Sequence, residues 1–404
     1  MGGFFTKAET ESKSRPDGKI YSCISCGAYK SCVNPKMPPQ GNGKIMIIGS
    51  APTSLDDKRG LLFQGKIGKL VETVFDEFDI DIFKNCILTN AFRCNLQTAE
   101  ENRTPTNYEI DCCRKSVLKS IQELKPKVIF LLGDEAIYSV IGHRWKKDLD
   151  KIVKWRGWQI PDQDLKCWLV PIYDPKKVDA CKGPEMYNIW KADIKNGLDK
   201  LKEKFPIYEE PVIDYLEEDQ LSILSTIKDD IAFDYETTGL KPQAEGHRIV
   251  CCSVADSLNH VYTFMMPKNR KSRIHFIDLL KNPKIGKIAQ NFKFEDNWTN
   301  IRLGCDVENW VWDTMLATHI MDNRSGVTGL KFQSYVQFGI IDYDSSVSPY
   351  LKAKDEDNKN AHNQILELLK KPGGQYMLLK YCALDSLYEY RLAFLQRPTI
   401  ELPF

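Results

Sequence analysis

Two acidic residues stand in a segment that otherwise has the composition of a buried strand. The apolar run 231–233 is followed by Asp234 and Glu236, which are two positions apart. Because side chains alternate between the two faces of a strand, both carboxylates project from one face of the sheet. A solvated acidic face does not account for the apolar residues before them. The pair therefore predicts a central strand that carries a cation site.

The length of the chain predicts two domains. A chain of 404 residues exceeds what one hydrophobic core usually serves. A lysine-rich helical pattern at 190–204 is interrupted at 205–211 by two prolines and an acidic pair. We therefore predict an N-terminal tail at 1–20, a first domain at 21–204, a linker at 205–215 and a second domain at 216–404.

Short apolar runs alternate with helical patterns in the first domain. The pattern predicts strands at 44–48, 86–89 and 127–132, and helices at 67–78 and 106–124. Such alternation is typical of an α/β fold with a parallel sheet, in which ligands bind at the carboxyl ends of the strands.

The second domain has a different pattern. A strand through 231–234 and a β-hairpin at 249–266 are followed by mostly helical sequence to about residue 396. Near its end, Tyr381 and Asp385 are four positions apart in a helical stretch, which places them on one helix face.

Three segments of this domain, 233–240, 290–298 and 381–385, occur in an informative order. Together they resemble the proofreading 3′-5′ exonuclease of family A DNA polymerases, the class named for four acidic residues and a tyrosine. The resemblance implies a ribonuclease H-like mixed-sheet domain that hydrolyses DNA with two divalent ions, Mg²⁺ or Mn²⁺. It also implies that Asp234, Glu236 and Asp385 bind the ions and that Tyr381 orients the attacking water.

The fourth acidic position departs from the family pattern. Asn291 matches the start of the second motif, but Glu295 stands where the family has an aspartate, and Asp296 follows it. A glutamate is longer and can still reach a metal ion, whereas Asp296 needs a one-residue shift along its helix. We favour Glu295 and keep both as candidates. Asp313 is expected to cap the helix that follows it.

Thirteen cysteines in a chain without a secretory signal favour metal ligation or buried thiols over a disulfide framework. A set of four stands out: Cys23 and Cys26 in a CxxC motif, Cys94 after a predicted strand, and Cys113 in a predicted helix. A lone CxxC motif is weak evidence, so the surrounding sequence has to decide its meaning.

Segments 90–94, 102–106 and 113–114 resemble the iron-sulfur uracil-DNA glycosylases called family 4. Further matches are segments 49–52, 59–68 and 126–133, and the resemblance covers about residues 20–200. The resemblance implies a parallel-sheet α/β/α sandwich and a [4Fe-4S] cluster on the four cysteines Cys23, Cys26, Cys94 and Cys113. A zinc ion on the same thiolates is the alternative, because spacing does not separate the two cofactors. Cys32 and Cys112 are close alternatives as ligands.

The same resemblance implies a base pocket in which Phe63 stacks on a flipped uracil and Asn90 bonds to its edge. The catalytic positions differ: Ser50 replaces an acidic residue, Thr53 a glycine and Asp174 a histidine. Because a carboxylate repels the uracil anion that a histidine would stabilise, we expect little or no glycosylase activity. A water positioned by Asp174 is the alternative.

The order of the two domains resembles the N-terminal region of DNA polymerases from large tailed phages of Gram-positive bacteria. We therefore expect single-stranded 3′ ends, primer-template DNA and a polymerase chain as partners. Because 404 residues leave no room for a polymerase core, we expect a fragment or a split-off subunit. A uracil-sensing DNA-binding module and a repair enzyme with an active glycosylase are the alternative functions.

Charge and hydropathy add two expectations. The net charge is +1, so any groove that binds DNA must be local. No apolar run is long enough to span a bilayer, and the N-terminus is charged where a signal peptide would be apolar. We therefore expect no membrane partner and a cytoplasmic location, in the host cell if a phage encodes the chain.

Overall fold

The computed structural model describes residues 21–96, 103–145, 149, 151–181, 183–355 and 360–400. The chain divides into two compact units, Met1–Pro206 and Ile207–Phe404, and each contains one six-stranded sheet. The predicted tail at 1–20 lies outside the described residues.

The first unit alternates strands and helices. Its strands are β1 (Gln40–Gly41), β2 (Ile45–Gly49), β3 (Cys86–Asn90), β4 (Val128–Leu132), β5 (Ile160–Asp162) and β6 (Cys167–Ile172). Its helices are α1 (Cys23–Cys26), α2 (Ser54–Arg59), α3 (Lys66–Asp76), α4 (Ile82–Asn85), α5 (Asn107–Leu124), α6 (Asp134–Val140), α7 (Ile152–Trp155), α8 (Pro175–Ala180) and α9 (Pro184–Asp199), with a 3₁₀ turn at Ala28–Ser31.

The strand order is β1-β3-β2-β4-β6-β5. The four central strands are parallel, which confirms the predicted parallel α/β sheet, and every residue of these strands is buried. Burial on both faces explains why these strands are continuous apolar runs rather than alternating patterns. The edge strands β1 and β5 are antiparallel and were not predicted, because two or three residues are too few to give a pattern.

The helix predicted at 190–204 corresponds to α9 (Pro184–Asp199), which begins and ends earlier in the sequence than predicted. Pro184 occupies the first turn, where its fixed φ suits a helix and its missing N–H group is not needed.

The second unit is a mixed sheet covered by helices, as predicted. Its strands are β7 (Val212–Leu216), β8 (Ile231–Thr237), β9 (Ile249–Ser257), β10 (His260–Met265), β11 (Lys287–Ala289) and β12 (Trp310–Asp313). Its helices are α10 (Ile274–Leu280), α11 (Lys293–Trp298), α12 (Thr314–Met321), α13 (Leu330–Phe338), α14 (Ile365–Leu369) and α15 (Gly374–Gln396), with 3₁₀ segments at Glu218–Thr226, Ser348–Tyr350 and Arg397–Thr399 and a π-helix at Thr299–Leu303.

The strand order of the second sheet is β12-β11-β8-β9-β10-β7. The predicted hairpin is confirmed as β9 and β10, and β8 extends through Thr237, so that it contains both acidic residues of its motif. The prediction of mostly helical sequence after the hairpin was wrong at β11 and β12, which pair in parallel with each other. Both strands are too short for their alternation to be recognised.

Helix α15 packs across β8, β9 and β10. At this contact Ala383 and Ala393 of the helix meet Ala232 and Ala255 of the sheet. Small side chains on both surfaces let the helix backbone approach the strands closely. This approach brings Asp385 of α15 next to Asp234 and Glu236 of β8.

No helix in the described part of the chain is long and apolar enough to cross a membrane.

Candidate active site

Acidic side chains from β8 and α15 converge in the second unit. One oxygen of Asp234, one oxygen of Glu236 and the sulfur of Cys382 lie within 4.8 Å of one another. Burial raises the pKa of Asp234 well above its usual range, and the charge of Asp385 raises it further. Burial, followed by the charge of Asp234, raises the pKa of Glu236 in the same way. The structure therefore brings together three carboxylates that repel one another when ionised.

The two candidates for the fourth acidic position lie in different surroundings. Glu295 is 3% exposed, and burial followed by the charge of Asp234 raises its pKa. Asp296 instead accepts a hydrogen bond of 3.1 Å from the indole nitrogen of Trp310. Successive helix positions differ by about 100°, so only one of two neighbours can face the carboxylates. In this fold the residue that faces them is Glu295.

Asp313 holds the turn that precedes α11. Its carboxylate accepts hydrogen bonds from the backbone N–H groups of Met315 and Leu316, which confirms the predicted helix cap. It also accepts from the N–H groups of Asn291 and Phe292, at 3.2 and 3.1 Å. Asn291 has a φ of 67°, in the left-handed region that asparagine tolerates better than most residues. One carboxylate thus fixes the start of α12 and the turn into α11.

Lys331 of α13 is a cation of this site that the sequence motifs did not indicate. Its ammonium group donates to Oδ1 of Asp385 and, at 3.0 Å, to the hydroxyl of Tyr343. It lies 4.3 Å from the ring centres of both Tyr343 and Tyr381. Tyr343 in turn donates to Oδ1 of Asp385 at 2.7 Å. The positive charge of Lys331 lowers the otherwise raised pKa of Asp234.

Tyr381 precedes Asp385 by one helical turn and is 6% exposed. Burial, followed by the charge of Asp385, raises the pKa of its phenol well above the usual value. The phenol therefore stays protonated and keeps a hydrogen-bond donor beside the carboxylates.

The donor set suits divalent cations. Carboxylate oxygens are the ligands that Mg²⁺ and Mn²⁺ prefer in proteins. Four carboxylates gather here, and Oε2 of Glu295 has no hydrogen-bond partner among the described residues. Buried carboxylates in such a group need a compensating positive charge to be ionised together. Divalent ions would supply that charge.

The base-pocket residues of the first unit line one cavity at the carboxyl ends of the parallel strands. The cavity contains Phe63, Asn90 and Asp174, together with Gly49. A Cβ atom on Gly49 would lie 2.6 Å from Oδ1 of Asn90 and 3.2 Å from the ring of Phe63. A glycine is therefore required for the amide and the ring to reach the same space.

Phe63 has a strained backbone in this cavity. Its φ is 59°, which is rare for a bulky residue. A side chain at Gly68 in α3 would overlap the backbone carbonyl of Phe63, so this glycine lets the helix support the turn. Asp174 caps α8 by accepting from the N–H group of Lys176 at 2.8 Å, and burial raises the pKa of its carboxyl.

The four cysteines of the predicted cluster line a second cavity of the first unit, and Cys112 lines it as well. Burial raises the pKa of Cys94 to about 12 and that of Cys113 to about 11. Thiols with such pKa values stay protonated unless a metal binds them. The thiol of Cys32 donates to backbone carbonyl oxygens, at 3.4 and 3.5 Å, and also contacts the thiol of Cys94. The convergence of thiols fits a metal centre bound through sulfur.

Family comparisons agree with this division of the chain. Residues 35–203 match the model of the uracil DNA glycosylase superfamily, and residues 208–395 match the model of a 3′-5′ exonuclease domain that occurs in family A DNA polymerases. The chain therefore combines a glycosylase-superfamily domain with a 3′-5′ exonuclease domain, and the exonuclease makes it a hydrolytic enzyme.

Individual relatives match one domain or both. A type-4 uracil-DNA glycosylase of Saccharolobus solfataricus is 27% identical over 46% of this chain and 85% of its own length. A DNA polymerase of Bacillus phage SP01 is 23% identical over 81% of this chain, a match that spans 38% of the polymerase. Among solved structures, Brucella melitensis NrnC with bound Mg²⁺ is 17% identical over 47% of this chain and 80% of that chain, with a TM-score of 0.33.

We predict that Mn²⁺ stabilises the protein more strongly as the pH rises. The raised pKa values of Asp234, Glu236 and Glu295 mean that the folded state binds more protons than the unfolded state. Without metal, this contribution to folding stability is fully present at pH values below the ordinary pKa of a carboxylate. It is lost as the pH rises through the raised pKa values of the folded state. Because metal binding requires deprotonated carboxylates, the gain from Mn²⁺ should increase between about pH 5 and about pH 8.

Thermal unfolding in EDTA and in excess Mn²⁺ across this pH range measures the effect. A hundredfold excess of ion over its Kd corresponds to about 2.7 kcal/mol of stabilisation. Asp234→Asn is the control and should reduce both the Mn²⁺ effect and its pH dependence. An equal Mn²⁺ effect at both ends of the range would contradict the raised pKa values.

Proposed function

We propose that this chain is a proofreading module that removes mispaired nucleotides from DNA 3′ ends for a phage family A DNA polymerase. The observation that supports it best is the convergence of Asp234, Glu236, Glu295 and Asp385 beside Tyr381. The similarity to a phage DNA polymerase, which covers more of the chain than either domain, supports the polymerase partner. The site of action would be the cytoplasm of the host cell.

In this proposal the four carboxylates would hold two divalent ions, and the bound ions would supply activation of a water nucleophile and stabilisation of the leaving 3′ oxygen. Tyr381 donates a hydrogen bond that orients the water. Lys331 and Tyr343 hold the carboxylate of Asp385 in place through their contacts with Oδ1.

A cavity beside Glu236 suits the terminal nucleotide. Leu240 and Phe294 line it, and Leu240 is 68% exposed. An exposed apolar side chain next to the carboxylates offers a surface on which a base can pack irrespective of its identity. This supports a substrate with an unpaired, freely accessible 3′ end, such as single-stranded DNA or a frayed primer.

The nuclease assay uses a 5′-labelled single strand with Mg²⁺ or Mn²⁺. We expect shortening from the 3′ end, and a rate at least about a hundredfold lower in Asp234→Ala, because even residues behind metal ligands cost 10–100-fold when removed. Glu295→Gln should lose activity in the same direction. Asp296→Asn is its matched control, since this carboxylate bonds to Trp310, and should stay within about threefold of the parent. No 3′ shortening by the metal-replete parent would overturn the proposal.

For the first domain we propose a [4Fe-4S] cluster on Cys23, Cys26, Cys94 and Cys113, with zinc as the alternative. Iron and acid-labile sulfide should each amount to about four per chain after anaerobic purification. Cys113→Ser should lower both, whereas Cys181→Ser, a change at an exposed thiol outside the cavity, should not. Zinc without iron would establish the alternative.

A second candidate function is recognition of uracil without its removal. The shared cavity of Phe63, Asn90 and Asp174 favours it, because it retains an aromatic ring and an amide for a flipped base. We expect DNA with one uracil to bind more tightly than the matched thymine strand. Phe63→Ala should remove about 1–3 kcal/mol of that preference.

Two results would contradict uracil recognition without cleavage. Equal affinity for the two strands would argue against recognition. An alkali-sensitive break at the uracil would show an active glycosylase. Both assays are run in EDTA so that the exonuclease does not degrade the strands.

A further inference from the structure

Glu389 is a buried carboxylate that none of the recognised motifs contains. It follows Asp385 by one turn of α15, and residues four positions apart lie on the same helix face. It is 2% exposed, and its Oε2 atom has no hydrogen-bond partner among the described residues. A buried carboxylate oxygen without a partner is costly, so its retention requires an explanation.

Glu389 belongs to the same group of charges as the candidate metal ligands. Burial raises its pKa, and Asp234 and Glu295 raise it further. It lies in α15 between Ala383 and Ala393, the two alanines that pack against Ala232 of β8. The fold thus brings a fifth carboxylate to the four already described.

Glu295 has the same unusual environment. It is 3% exposed, and its Oε2 atom also has no partner in the part of the chain that the structure describes. Two buried glutamates with unpartnered oxygens therefore face one cluster. Protonation alone would not satisfy these two glutamates, because a neutral carboxyl group still needs an acceptor for its proton.

The cations near these glutamates have other partners. Lys331 donates to Asp385 and Tyr343, and its charge only partly offsets the raised pKa of Glu389. Arg391, two residues farther along α15, donates to the carbonyl oxygen of Leu258 and to the side chain of Asn259. A bound cation that accepts several oxygen ligands fits the two unpartnered oxygens better than either side chain.

We propose that Glu389 is a metal-binding residue of the exonuclease site and that, together with Glu295, it binds one of the two divalent ions. The inference rests on the proposed function. Glu295 is one methylene longer than the aspartate of the family pattern, and Glu389 is the additional carboxylate that α15 brings to it. With this extra negative charge, the site binds both ions before DNA arrives.

The test is direct measurement of Mn²⁺ binding to the cluster-loaded full chain without DNA, by equilibrium dialysis and by the loss of the free Mn²⁺ signal in electron paramagnetic resonance. The parent should bind two ions at the site, counted as the difference from Asp234→Ala. Glu389→Gln should weaken one of the two by about tenfold or more. Glu367→Gln, a change of an exposed glutamate paired with Lys370, is the matched control and should bind as the parent does.

Folding of the variants is checked separately. Glu389→Gln removes a buried charge, so in EDTA it should unfold at a temperature no lower than that of the parent. Glu389→Asp keeps the carboxylate and should retain the second ion with affinity between that of the parent and that of Glu389→Gln. Loss of Mn²⁺ in a variant that melts as the parent does therefore reports on the site.

The outcomes separate this inference from the function on which it rests. Two ions of unchanged affinity in Glu389→Gln would overturn the role of Glu389 and leave the exonuclease proposal intact. Equal Mn²⁺ binding by the parent and by Asp234→Ala would overturn both. Weakened binding of one ion in Glu389→Gln, with Glu367→Gln unchanged, would establish the inference.

Discussion

The contact between α15 and the centre of the second sheet is the interaction on which the exonuclease site depends. Alanines on both surfaces, among them Ala232 and Ala383, allow the helix backbone to lie close to β8. The same approach forces Asp385 towards Asp234, although the two carboxylates repel each other when ionised. Apolar packing thus holds a group of charges that would separate if the helix were free.

This arrangement couples metal binding to the stability of the domain. Each carboxylate that is buried near another raises the free energy of the metal-free fold at neutral pH. Lys331 offsets part of that cost through its contacts with Asp385 and Tyr343. Bound divalent ions would offset more of it, so their binding energy would also stabilise the fold. The site would then be most stable in its metal-bound state.

Sequence patterns identified the residues that are related within one element. Strand alternation predicted the shared face of Asp234 and Glu236, and helical spacing predicted that of Tyr381 and Asp385. The patterns did not identify Lys331, because 54 positions separate it from Asp385 and their contact depends on how α13 packs. The sequence also left Glu295 and Asp296 as candidates for the fourth acidic position. Which of them faces the other carboxylates depends on the direction of α11, and the turn into α11 is fixed by the distant residue Asp313.

Asp174 in the first unit stands where the glycosylase family has a histidine. An ionised carboxylate at this position would repel the uracil anion. Burial raises the pKa of this carboxyl, which weakens that repulsion. The Asp174 side chain also accepts a hydrogen bond from the backbone N–H group of Lys176 and so caps α8. A side chain held in a helix cap is poorly placed to stabilise the negative charge that develops on a departing base.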